Sequence, residues 1–272
     1  MIKEKILVAI VMALPVIAAA DSSPWLPIPG STQASIGYIN QSGDKFYLGT
    51  NKMTLPEKLK QDTYFIGVQY GLTDTVAIDA QLNYQKVNFG AASESARGDS
   101  SIGINWRAID EFERAKLTTV TLRAAAIIAG DYETGKIDAI GDNASGVELS
   151  ALAGKYLTPR FTISGEVGYR YRNNNVPDDI FISTNMGYSL ASFLSISTGY
   201  TATRSLGDLD IGGPGFSPSR FPEVQEDRDL IRAGAAFYVA SNTSLNLNYG
   251  TVVSGRNTTK ADVWGISVVT SF

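Results

Sequence analysis

The sequence predicts an all-β fold: a closed antiparallel transmembrane up-and-down β-barrel of about twelve strands, with short periplasmic turns and longer outer loops. Three observations predict it. Residues 261–272 alternate with the period of a strand. Trp264, Ile266, Val268, Thr270 and Phe272 share one face, and Val263, Gly265, Ser267, Val269 and Ser271 share the other. The first face has aromatics at both ends and aliphatics between them, which suits a strand crossing lipid between two interfaces. Second, the same alternation recurs along nearly the whole chain from residue 33. Third, the connections sort by parity. Short links follow the even-numbered strands, and all the long ones follow odd-numbered strands, as in a barrel with both termini on its short-turn side.

The first twenty residues have a different pattern. Lys3 and Lys5 precede an apolar run over 6–17, and Ala18-Ala19-Ala20 offers a small-residue cleavage site. This is the pattern of a secretory signal peptide. The run is shorter than the ~20 residues a spanning helix needs. Residues 21–32 read as an irregular lead-in, because Pro24, Pro27 and Pro29 deny both helix and central strand. Trp25 and Leu26 are its apolar exceptions; they either tuck into a barrel mouth or sit at an interface. The barrel itself is assigned to 33–272.

Taken in order, the first strand spans about 33–42, through Ile36 and Tyr38. A polar loop to about residue 60 follows, with a strand extension at Phe46-Tyr47-Leu48 left open. The second strand (61–71) carries Tyr64, Ile66, Val68 and Tyr70 on one face. After the turn Gly71-Leu72-Thr73-Asp74, the third (75–88) is the clearest. Val76, Ile78, Ala80, Leu82 and Tyr84 alternate with Ala77, Asp79, Gln81, Asn83 and Gln85. The fourth (99–108) alternates Ile102, Ile104 and Trp106 with polar or small residues. Strands five to nine fall near 116–131, 145–156, 161–173, 179–189 and 193–204. A long Gly/Pro-rich loop over 206–227 precedes strands near 229–239 and 244–255 and the final strand, 261–272. Connections near 176–178 and 255–259 are short for outer loops, so counts of ten and fourteen stay open.

Composition narrows the function. The 272 residues carry a net charge of −4, with no cysteine and no histidine. Nothing suggests nucleic acid. Disulfides, thiolate metal sites and thiol nucleophiles are excluded, as are the commonest general base and transition-metal ligand. Outer-membrane phospholipases, proteases and lipid A-modifying enzymes rely on a histidine, so those mechanisms are excluded. No cofactor, catalytic residue or metal site is assigned. Gly212-Gly213-Pro214-Gly215 lacks the Lys-Ser/Thr of a phosphate loop. Asp208, Asp210, Glu223, Glu226 and Asp227 form a solvated acidic loop rather than a cation site.

Function is expected on the inward faces. Asp79, Gln81, Asn83, Gln85, Asn105, Arg107, Arg123, Glu148, Glu166, Arg170, Arg172, Asn185 and Arg232 are assigned to the lumen. Charges enclosed in a narrow barrel must pair or stay hydrated. Two readings remain open and compatible: a salt-bridge network stiffening the wall, and a polar pathway or solute site.

The stretch Tyr70-Gly71-Leu72-Thr73-Asp74-Thr75-Val76, the stretch Gly98-Asp99-Ser100-Ser101-Ile102-Gly103, and the Pro24-Trp25 lead-in resemble the outer-membrane family described as "Putative MetA-pathway of phenol degradation". The resemblance is firmest over about 24–108 and implies passage of aromatic or other small hydrophobic compounds. It brings no catalytic residues. The sequence thus points to a bacterial outer-membrane channel or transporter for passive passage of small solutes. The alternative is a closed structural or partner-binding barrel that works through its outer loops. Expected partners are outer-membrane lipid, an unidentified small-molecule solute, and the barrel-assembly machinery, engaged through the C-terminal strand ending at Phe272.

Overall fold

The computed structural model describes residues 23–114, 116–135 and 139–272; the signal-peptide reading of 1–20 lies outside them. Thirteen strands are found among the described residues. They are β1 (Thr32–Leu48), β2 (Asn51–Gly71), β3 (Val76–Phe89), β4 (Ala92–Arg97), β5 (Ser100–Ile109), β6 (Thr119–Ile128), β7 (Gly146–Thr158), β8 (Phe161–Arg172), β9 (Asp179–Ala191), β10 (Leu194–Ser205), β11 (Asp227–Ala240), β12 (Thr243–Arg256) and β13 (Thr259–Ser271). All ladders between them are antiparallel, each strand pairs with its neighbours, and β13 returns to pair with β1. The barrel is therefore closed, the arrangement that leaves no backbone group unpaired in lipid.

Thirteen segments make twelve positions around the wall. Both β4 and β5 pair with β3: Tyr84 lies opposite Arg97, and Gln81 opposite Ser101. The register slips by one residue between them, at Gly98-Asp99. There the Gly98 N–H donates to the Asn83 carbonyl (2.9 Å), and Asn83 Nδ2 donates to the Asp99 carbonyl (2.7 Å). This is a bulge within one barrel strand.

The structure corrects two outer connections. Residues 43–60 are not a polar loop, since β1 continues to Leu48 and β2 begins at Asn51. Likewise, residues 89–98 form a tight hairpin between β3 and β4. The physical reason lies in the alternation itself. Along β3 the inward residues run Asp79, Gln81, Asn83, Gln85 and then Val87 and Phe89; the outward ones run Leu82, Tyr84 and then Lys86 and Asn88. Polarity swaps sides where the strand leaves the bilayer, and above that level the barrel buries apolar residues inside, as a soluble protein does. Pro56 falls where the ladder jumps from Gly43↔Leu59 to Lys45↔Thr54, a stretch that demands no N–H from it.

The outward face forms the lipid belt, with Ile36, Ile66, Leu82, Ile102, Ile104 and Leu149 all exposed. Aromatic rings border it. Toward the outer end, Tyr249, Trp264, Tyr38, Tyr64 and Tyr84 follow one another across β12, β13, β1, β2 and β3. Tyr38 lies 5.2 Å from Tyr64 and 5.3 Å from Trp264 between ring centroids. At the short-turn end stand Trp106, Phe161, Tyr188, Phe193 and Phe272, all but Phe161 exposed. Two such girdles define an outer-membrane span.

Replacing Leu82 by arginine is expected to impair assembly far more than replacing Asn83 by arginine. A charge near mid-bilayer costs ~2–4 kcal/mol on the lipid face alone. Comparing heat-modified and unheated gel mobility of the two refolded variants checks this, and equal impairment would overturn the assignment of faces.

Candidate functional site: the barrel lumen

Alternation places one charged row on each of several neighbouring strands, and closure turns these rows toward each other. Asp79 on β3 meets Arg123 on β6 (2.7 Å), whose other nitrogen meets Glu148 on β7 (2.8 Å). Glu148 accepts from Arg170 on β8 (2.7 Å), and Arg170 reaches Asp179 on β9 (3.5 Å). Asn105 Nδ2 completes the first step by donating to Asp79 (2.8 Å). A second cluster lies toward the outer end, where Arg172 bridges Asp99 (3.3 Å) and Asp142 (3.1 Å). Each charge in these chains is substantially withdrawn from water, Arg123 to 10% side-chain exposure. Alternation of sign is what makes such burial tolerable.

The thirteen residues assigned from sequence fall in distinct places. Asp79, Gln81, Asn83, Gln85, Asn105, Arg123, Glu148, Arg170 and Arg172 line a cavity of about 280 Å³. Arg232 lines a second, of about 490 Å³, against β9 to β13. The two adjoin, sharing Gln33, Ser35 and Val269. Arg107 stands at the short-turn rim, paired with Asp110 (3.0 Å). Glu166 sits on β8 opposite Leu152 and Ser183, and Asn185 on β9 opposite Gly199. Neither of these last two lines either cavity.

Both mouths are furnished. At the short-turn end the lead-in enters the barrel, which resolves the open reading of Trp25. Trp25 Nε1 donates to Glu111 Oε1 (3.0 Å), its ring meets Tyr156 edge-on at 5.0 Å, and the Pro24 carbonyl accepts from Thr121 Oγ1 (2.7 Å). Gly154 makes the room: a Cβ there would lie 2.5 Å from Pro24 and 2.9 Å from the Trp25 ring. Glu111 is buried and also accepts from the Tyr156 backbone N–H (3.1 Å).

At the outer end, Leu209, Ile211, Phe221 and Val224 of the 206–226 connection pack on Phe46, Leu59, Val87, Phe89, Leu230 and Val252 of the wall. Tyr132 and Ile140, from the 129–145 connection, join the same apolar cap. Two acidic residues of the longer loop are paired at the outer rim. Asp210 binds Arg256 (2.6 Å) and Asn257 (2.7 Å), and these hydrogen bonds hold its carboxyl below the usual range. Glu223 binds Arg220 (2.6 Å). No His, Cys, Asp or Glu cluster among the described residues is arranged to hold a metal ion.

Asp142 anchors the other loop through Arg172. Burial pushes its carboxyl up to about 6, with Asp99 and Asp179 adding to the shift and Arg172 opposing it. Tyr132, buried and hydrogen-bonded to Asp99 (2.5 Å), is held well above the ordinary phenol value.

Sequence reasoning missed Glu111, Thr121 and Gly154, and the inward apolar residues of the cap. Glu111 sits in a charged connection with nothing local to distinguish it from Glu113. The cap was legible in principle, because Val87 and Phe89 continue the inward parity of Gln85.

Two outcomes are expected. Arg123→Met leaves Asp79 and Glu148 without their common partner and should destabilise the barrel by about 3–5 kcal/mol, read from urea unfolding; a cost within error of zero would discount the ladder. Asp142 has its proton held more tightly in the fold than in the unfolded chain. Its contribution therefore favours the fold increasingly as pH falls through about 6, and is complete below the ordinary carboxylate value. Stability of the wild type relative to Asp142→Asn should accordingly be higher at about pH 4.5 than at about pH 7.5. The opposite slope would show that Arg172 dominates.

Comparison with known proteins agrees with this geometry. No curated protein matches the sequence. The fold is similar to that of the COG4313 outer membrane channel from Pseudomonas putida F1, with a TM-score of 0.76 at 16% identity, covering 93% of this chain and 100% of that one. It is similar also to the KdgM porin (TM-score 0.54, 7% identity, 88% and 99% covered) and the NanC porin (0.54, 10%, 88% and 98%). A family model matches residues 37–264, from the first strand to the last, and the chain therefore belongs to the family described as "Putative MetA-pathway of phenol degradation".

Proposed function

We propose that the protein is an outer-membrane channel for passive passage of small solutes, aromatic or hydrophobic compounds among them. The observation that carries this reading is the pair of adjoining cavities inside a closed barrel. The first runs from Ser23 of the lead-in to Tyr132, Ile140 and Asp142 beneath the outer loops. The lumen is amphipathic along its length. A solute meets an apolar cap at the outer end, then hydrogen-bonding side chains, then the aromatic surfaces of Trp25 and Tyr156. A wall of this kind suits a molecule that is largely apolar with one polar group. The protein works without catalysis, energy source or cofactor. Its C-terminal strand, ending at the exposed Phe272, serves as the handle for the assembly machinery.

Two observations favour a second reading. The ion-pair ladder and the inward-folded loop around Phe221 are what a closed barrel with function in its outer loops would also show.

Single-channel recording of the refolded protein in a planar bilayer separates the two. A channel gives discrete openings, phenols and small aromatic acids block them, and Trp25→Ala raises the conductance by withdrawing the ring from the mouth. Silence from wild type and Trp25→Ala alike, with the barrel shown folded by its gel shift, would overturn the channel reading in favour of the closed barrel.

A further inference from the structure

One row of inward residues runs around the wall from β10 to β2. Ser195, Ala236, Asn246, Ser267, Gly37 and Phe65 lie opposite one another in register across β10, β11, β12, β13, β1 and β2. Phe65 is the only ring in a row that is otherwise small or polar. All of the row except Gly37 lines the second cavity.

Gly37 is missing from that lining because the Phe65 ring covers it. A Cβ at Gly37 would fall 2.5 Å from Phe65 Cζ and 2.6 Å from Cε1. The half-buried ring therefore leans from β2 across the neighbouring strand, into the space of the absent side chain. A glycine inside a strand gives up side-chain packing, and an aromatic ring laid over it restores some. The arrangement is particular to Gly37. Gly67 lies on the same face of β2, two residues beyond Phe65, and no ring turns to it; the atom near a Cβ there is Ser35 Oγ, at 2.6 Å.

The consequence is one of space. A phenylalanine standing straight inward from β2 would project into the cavity of about 490 Å³. Laid back over Gly37, it gives that cavity an apolar surface beside Ile39 and Val263 and leaves the bore open. Ser267 Cβ, 2.7 Å from the same Cβ position, closes the other side of the notch. A side chain at residue 37 would thus displace the ring, the more flexible of its two neighbours.

We infer that the Gly37–Phe65 pair sets the width of the second cavity, and with it the size of solute that enters. Gly37 is the positioning residue, and Phe65 is the surface a solute passes. Two groups cannot share one close-packed volume, so filling the notch drives the ring into the path. Removing the ring widens the path. The inference deepens the channel reading and rests on it for its role in transport, but entry into the cavity can be measured apart from passage.

The chain has no cysteine, so Asn246→Cys supplies a single thiol in the same row. The refolded full-length chain carrying it is labelled in detergent with methyl methanethiosulfonate or the bulkier benzyl methanethiosulfonate. Adding Gly37→Ala should slow benzyl labelling several-fold and change methyl labelling little. Adding Phe65→Ala instead should raise the benzyl-to-methyl rate ratio. Gly37→Ala and Phe65→Ala together should restore the parent ratio or exceed it. A role in packing alone would shift urea unfolding and leave the ratio unmoved. Phe65→Ala introduces no clash, and it decides alone if Gly37→Ala fails to fold by its gel shift. An unchanged ratio in Phe65→Ala or in folded Gly37→Ala, or a thiol that neither reagent reaches, would overturn the inference; channel openings from the same protein would leave the channel standing. Ratios that move as expected without conductance in a planar bilayer would keep the inference and discard the channel.

Discussion

The antiparallel ladder between β1 and β13 is the constraint on which the rest depends. Gln33 lies opposite Ser271, and the pairing continues to Phe46 opposite Thr259, so the first and last strands share nearly their full length. Without that seam two strands would present unpaired backbone to hydrocarbon, at several kcal/mol per group. Closure also fixes which face is which. Once the ladder is sealed, every alternate residue must look either into lipid or into a confined interior, and a slip of one residue would exchange the two sets.

That division explains features that look contradictory in a linear reading. Isoleucines and leucines are exposed and arginines are withdrawn, the reverse of a soluble protein, over the height of the bilayer. Above it, β1 to β4 revert to ordinary polarity, and Phe46, Val87 and Phe89 join loop residues in a small apolar core. The barrel is thus two environments stacked along one axis. The aromatic ring from Tyr249 through Trp264, Tyr38 and Tyr64 to Tyr84 marks the plane where they meet.

The confined interior then dictates how charge is arranged. Carboxylates and arginines alternate across β3, β6, β7, β8 and β9 because an isolated ion there would have no solvent to repay its burial. The opposite wall relies mainly on serine, asparagine and glycine, with Arg232 set between Gly199 and Gly250. A structural network and a polar route are not rivals in such a lumen. The paired wall supplies rigidity, and the neutral wall leaves space.

How much of this was legible depends on the range over which each feature is determined. Period-two alternation is local, so the barrel class, the strand sequence and the inward row from Asp79 to Gln85 could all be read directly. So could the family resemblance in the turn at Gly71-Leu72-Thr73-Asp74. The stretch before residue 60 was misread because hydrophilic outward residues such as Lys58 and Lys60 resemble a loop when the side facing them is unknown. The partners of individual charges could not be read, since Arg123 meets Asp79 and Glu148, 44 and 25 residues away in the chain, only after closure brings their strands onto one wall. The same holds for Trp25 at Glu111 and Phe221 beneath the outer rim. The sequence alone determined the class of fold and the two alternating faces of the strands it recognised, because both follow from alternation along a single strand. Only the tertiary structure decided which inward residues meet, where space remains, and what closes each mouth, because closure brings together residues whose spacing along the chain carries no period.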